Sequence, residues 1–121
     1  MAFRETIRDA VASVAYNTYR TLGSTCSYTD RAAVAVTLQC WAGAVSEELA
    51  MILGCRSEEA ARGFDIPKQT GFDETNVHID NVIEFEGHKW HVRRTNNEDG
   101  VGAIFHFDAV CSHPLKAGSV A

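Results

Sequence analysis

Five histidines and four cysteines carry the most versatile chemistry in this chain: His78, His88, His91, His106 and His113, with Cys26, Cys40, Cys55 and Cys111. Sets of three or four such side chains hold zinc, and a cysteine beside a histidine is an activated nucleophile. The spacing supports neither use. The cysteines never form a C-x-x-C pair, and they read as free structural thiols. His88 and His91 are three residues apart, which on a strand turns them to opposite faces. His91 and His106 fit neighbouring strands on one side, where an added cysteine would make a conceivable zinc site, but no ligand spacing accompanies them. They read as surface histidines alternating with buried Trp90, Val92, Phe105 and Phe107. Glu47-Glu48 and Glu58-Glu59 are adjacent in sequence, so they diverge on any regular element, whereas paired-carboxylate catalysis needs them facing each other. There is no nucleophile elbow and no phosphate-binding glycine loop. The expectation is no catalytic residue, no cofactor and no metal.

Lys89, His91, Arg93 and Arg94 form a small basic stripe beside Trp90, a conceivable nucleic-acid patch. Glu84, Glu86 and Glu98 lie on or beside the paired arm, so cross-strand ion pairs on an exposed sheet face are the preferred reading. The segment 96–100 lacks the alternating acidic ligands of a calcium loop and reads as a turn. Across all 121 residues, 11 basic and 16 acidic side chains give a formal charge of −5. That argues against phosphate binding by the surface as a whole. Hydrophobic residues make up 45% and proline occurs twice, an ordinary globular composition for one domain. No apolar run approaches the length needed to span a bilayer. The N-terminus is broken by Arg4, Glu5, Arg8 and Asp9 and reads as no secretory signal.

The elements that would position these residues begin with a helix over 2–22. Phe3, Ile7, Val11, Val14, Thr18 and Leu22 recur at steps of four and three, and Gly23 is a natural stop. The opposite flank carries Ala10, Ala12, Ala15, Tyr16 and Tyr19. A helix with one apolar stripe and one small-residue face can touch two surfaces, its own core and a neighbouring subunit. Short strands follow at 26–30, 32–41 and 62–66, the last ended by Pro67. Between them, 46–53 suits a two-turn helix capped by Ser46, or 49–53 a strand, and 57–61 suits a helical turn. A polar loop spans 68–76, and Val77 and Ile79 suit a brief pairing. The segments 82–85 and 88–94 form a hairpin about Glu86-Gly87, and 103–109 is the last strand. The residues 112–121 read as a small, polar, mobile tail. The fold class is mainly β: a small antiparallel β-barrel or sandwich over 24–110, preceded by one long N-terminal helix, with long loops at 42–60 and 68–76.

The run Asp80-Asn81-Val82-Ile83-Glu84-Phe85-Glu86-Gly87-His88-Lys89-Trp90-His91-Val92 resembles the head–tail joining proteins of tailed bacteriophages, also called head completion, connector or stopper proteins. Asp99-Gly100 with the final strand continues the likeness, and Arg62 to Pro67 resembles the strand before it. Asn81 stands where a glycine is common, and the segment 42–60 is unusually long.

The resemblance implies a virion neck protein: a homo-oligomeric ring of six or twelve subunits, stacked between portal or adaptor and tail. DNA would pass through its channel without specific binding, along walls whose acidity repels phosphate. It implies no membrane, and host cytoplasm before assembly. Phe3, Ile7, Val11 and Val14 are then expected at the assembly interface, and Gly71 and Phe72 on a loop projecting into the channel or toward the tail. The alternatives are a tail terminator or tail completion protein, or a small barrel that binds a ligand or nucleic acid.

Overall fold

The computed structural model describes residues 2–30, 34–96 and 103–111, with helix side chains from Thr6 onward. Helix α1 (Ala2–Leu22) precedes strands β1 (Ser24–Thr29) and β2 (Ala35–Ala42), then a short helix α2 (Glu47–Ile52) and strand β3 (Ala60–Pro67). A 3-10 turn (Glu74–Asn76) leads to β4 (Val82–Phe85), β5 (His88–Asn96) and β6 (Ile104–Cys111). The six strands close into an antiparallel barrel in the order β1-β2-β3-β6-β5-β4. The expected mainly β fold with one long N-terminal helix is the fold observed, and of barrel and sandwich it is the barrel. None of its helices is long and apolar enough to cross a membrane, among the described residues.

Alternation builds the core. Cys26, Tyr28, Leu38, Cys40, Phe64, Ile66, Ile83, Phe85, Trp90, Val92, Phe105 and Phe107 point inward and are buried. In the β4–β5 hairpin Glu86 (φ 50) and Gly87 (φ 81) both take the left-handed conformation, the signature of a two-residue turn whose twist matches its strands. The long β3–β6 seam pairs Ala60 with Cys111 through to Pro67 with Ile104. Strand β3 is thus longer than 62–66. The chain over 57–59 makes a turn rather than a helical segment, and β2 runs from Ala35, the expected start at 32 lying outside the described residues.

The uncertain 46–53 segment is a helix, α2. Ser46 caps it by accepting the Leu49 N–H at 3.1 Å, and Glu47 and Glu48 sit in its first turn, where negative charge favours the helix dipole. Val77 and Ile79 form no strand; Val77 packs on the core and Ile79 is exposed. The expected mobile tail at 112–121 and most of the turn at 96–100 lie outside the described residues.

Each end of the barrel is stoppered by a different chemistry. At one end Phe72 is only 2% exposed, its ring edge-on to Tyr28 at 5.2 Å and Phe105 at 5.7 Å. This corrects the reading of Phe72 as a projecting residue: the 68–76 loop folds inward because burying that ring stabilises by about 2–3 kcal/mol. Gly71 remains exposed at φ 86, a conformation glycine supplies without strain. The Tyr28 hydroxyl donates to the Asn76 carbonyl at 2.7 Å and accepts from Asn81 Nδ2 at 2.7 Å, tying the 3-10 turn to the barrel. At the other end Arg62, 8% exposed, lays its guanidinium 5.0–5.7 Å from the rings of Phe85, Trp90 and Phe64. Its Nε donates to the Gly43 carbonyl at 2.8 Å, and burial lowers its pKa. Stacking on three rings offsets part of the cost of burying that charge.

Candidate functional site

The barrel interior is filled by its own side chains, so the surfaces available for function lie outside it. Helix α1 crosses the outside against β2 and β3. Its inner face is the small-residue flank: Ala12 and Ala15 are buried, and Tyr19 rests against Trp41 with ring centroids 6.3 Å apart. Gly23 permits the close approach, since a Cβ there would stand 2.4 Å from the Cys40 carbonyl oxygen. Two surface ion pairs fasten the helix: Lys68 to Asp9 at 2.8 Å and Arg8 to Glu74 at 3.6 Å.

The apolar stripe therefore points away from the chain's own core. Val14 is 69% exposed and Leu22 70%, Ile7 is exposed, and Val11 is half-buried. The side chain of Phe3, expected on the same stripe, lies outside those described. Val11, Val14, Ala15 and Thr18 flank an apolar groove with Tyr19 and Ile104. Ala12 and Ala15 let the helix sit close to the sheet, and Ile7, Val14 and Leu22 are left outside. A second apolar tip stands on α2, where Met51 is 82% exposed beside exposed Ile52.

Outside β3, β6 and β5 lies a polar cluster that the sequence did not bring together. His106 Nδ1 is 2.7 Å from Asp65 Oδ1, and its Nε2 is 2.7 Å from Asp108 Oδ1. Asp108 Oδ2 accepts from Arg94 Nε at 2.7 Å. The hydrogen bond to Asp65 raises the imidazole, against burial and with help from Asp108, to about 9. His106 is thus an imidazolium at neutral pH, with both ring nitrogens donating. In that state it has no lone pair with which to act as a base, so the cluster as arranged clamps three strands. Gly63 makes room for it, since a Cβ there would stand 2.7 Å from His106 Cε1. The outward faces of these residues follow from alternation; their meeting follows from the β3–β6 pairing, which pattern alone does not reveal.

The other candidates do not converge. His91 registers with Val110 on β6, four positions from His106, so the two do not meet. Among the described residues no group of three or more His, Cys, Asp or Glu is placed to hold a metal. In the basic stripe Arg93 faces Glu59 at 3.8 Å and Arg94 is held by Asp108; Lys89 registers with Glu84. Arg94 is thus paired across strands, though with Asp108 of β6 rather than with an acid of the hairpin, and Arg93 reaches Glu59 ahead of β3. Cys26, Cys40 and Cys111 are buried free thiols, and Cys55 is half-buried. The neighbouring Cys40 and burial together push the Cys26 thiol up, so it stays protonated and unreactive at neutral pH.

No family model, no curated protein and no solved structure matches this chain.

Proposed function

We propose that this protein is a structural component of a phage neck, a connector, stopper or adaptor that forms a ring between portal and tail around the DNA channel. The observation that carries the reading is the orientation of α1. A helix whose larger apolar residues Ile7, Val14 and Leu22 face solvent while Ala12 and Ala15 face the barrel has a surface suited to a neighbour. The resemblance of 80–92 to head–tail joining proteins supplies the identity of the assembly. A side-chain-filled barrel suits a scaffold, and a net charge of −5 suits a channel along which DNA must slide. In this reading Ile7, Val11 and Val14, with Phe3 by position, form the subunit contact.

The test is electron microscopy of the protein mixed with the portal and neck proteins encoded beside it. A symmetric ring stacked on the portal is expected, and its place in the stack separates adaptor from stopper. Persistent monomers beside intact portal rings would sink the reading.

A further inference from the structure

The barrel is closed, but its β2–β3 seam is short. Register runs only through Trp41 with Asp65 and Ala42 with Phe64, continued by the Gly43 N–H on the Gly63 carbonyl at 2.8 Å. The same register places Gln39 opposite Pro67 and Thr37 opposite Gln69. Pro67 has no N–H to give. The Gln69 side chain takes over as a substitute strand: its Oε1 accepts from the Gln39 N–H at 3.0 Å, and its Nε2 donates to the carbonyls of Gln39 at 3.1 Å and Pro67 at 2.9 Å. The Gln69 backbone is committed elsewhere, its N–H to the Phe72 carbonyl at 3.0 Å and its carbonyl to the Phe72 N–H at 2.9 Å.

Among the described residues Thr37 is therefore left without a partner on β3. In an antiparallel pair the backbone groups of alternate residues point to opposite sides. Gln39 turns its N–H and C=O toward the seam, so Thr37 and Ala35 do too, away from β1. At Thr37 the seam borders a cleft of about 500 Å³ lined by Ser13 and Tyr16 of α1, Thr37 itself, Gln69, Thr70, and the Asp9–Lys68 pair. An unpaired strand edge is a template for another strand, and this one opens into a cavity.

We infer that this cleft is a docking site for an extended peptide segment of a partner protein, which adds a short strand to β2 at Thr37. The occupant runs antiparallel to β2, where β3 would have continued. At about 3.3 Å per residue the edge from Ala35 to Gln39 accommodates roughly four residues. The hydroxyl-rich lining of Ser13, Tyr16, Thr37 and Thr70 selects small polar side chains, and affinity comes from main-chain hydrogen bonds. Gln69 occupies part of the same edge in the free protein and competes with the peptide. The inference does not depend on ring formation, because a peptide bound by the single chain suffices.

The probes are two acetylated, amidated pentapeptides, one alternating threonine with serine and one alternating threonine with valine, titrated into the full chain. The readouts are the Thr37 amide resonance and its hydrogen exchange. Slowed exchange at Thr37 is expected at about 5 mM peptide or below. Gln69→Ala, which frees the Gln39 groups, is expected to tighten binding about tenfold. N-methylation of the peptide nitrogen facing Thr37 is expected to abolish the effect without altering the protein. No response of Thr37 to either peptide, in the native chain and in Gln69→Ala alike, would overturn the inference. So would binding that N-methylation leaves unchanged.

Discussion

Replacing His106 with glutamine tests the charge cluster that joins β3, β6 and β5. Asp65 and Asp108 hold the folded imidazolium to about 9 against an ordinary 6.5. At about 1.36 kcal/mol per pH unit the difference is worth a ceiling near 3 kcal/mol. The ring is partly open to solvent, 22% by side chain, and screening brings the expected contribution to about 2 kcal/mol. The sign follows from which state holds the proton more tightly. Below pH 6.5 both states are protonated and the contribution is complete. As pH rises from 6.5 to 9 the unfolded chain gives up its proton first, so stability falls; above 9 the contribution is gone. The assay is urea unfolding followed by tryptophan fluorescence at pH 6, 7.5 and 9.5, for the native chain and His106→Gln. The gap between the two is expected to shrink by about 2 kcal/mol from pH 6 to pH 9.5, with unchanged urea slopes. Parallel stability curves for the two proteins would refute the reasoning, because a glutamine bonded to the same carboxylates would then replace everything the imidazolium does.

Other outcomes follow from the same coordinates. Gly63→Ala places a methyl 2.7 Å from His106 Cε1; it is expected to cost about 1–3 kcal/mol and to flatten the native pH dependence, both read from the same urea titrations. Phe72→Ala empties one barrel end and is expected to cost about 3–5 kcal/mol, whereas a loop that merely projected would lose almost nothing in thermal unfolding. Val14→Asp, on the exposed stripe, is expected to change stability by no more than about 0.5 kcal/mol while removing the protein from portal-bound rings in micrographs. Arg62→Lys keeps the charge but loses the planar stack on three rings and the bond to Gly43; a loss of about 1–2 kcal/mol in urea is expected.

Much of the barrel was legible because its signals are local. Glu86-Gly87 between alternating arms marks a hairpin, Gly23 stops the helix at Leu22, and a period of two turns Trp90, Val92, Phe105 and Phe107 inward. What pattern could not supply was which distant segments touch. Nothing local places β3 beside β6, so Asp65 and His106 read as separate surface residues. The stripe on α1 is the strongest apolar signal in the first third, yet it faces out. Periodicity records that a helix has a hydrophobic side; it does not say whether bulk or closeness of approach decides which side meets the sheet. Here Ala12, Ala15 and Gly23 win by closeness. Phe72 reads as part of a polar loop because its neighbours are polar, and one buried ring outweighs them. Gln69 carried no signal, since a side chain acting as backbone leaves no periodic trace.

That substitution at Gln69 also bears on where the barrel comes apart first. A ladder of main-chain bonds opens cooperatively, each rung held by the next. At the β2–β3 seam, past Trp41, the rungs are replaced by one rotatable amide, whose swing away releases Gln39 without disturbing any other strand pair. Small-amplitude opening is therefore expected to concentrate there, with the amides from Ala35 to Gln39 that face the seam exchanging with solvent long before those of the β3–β6 ladder. The chain thus has a built-in zip whose slider is a single side chain, and its sequence at position 69 sets how often the barrel wall parts.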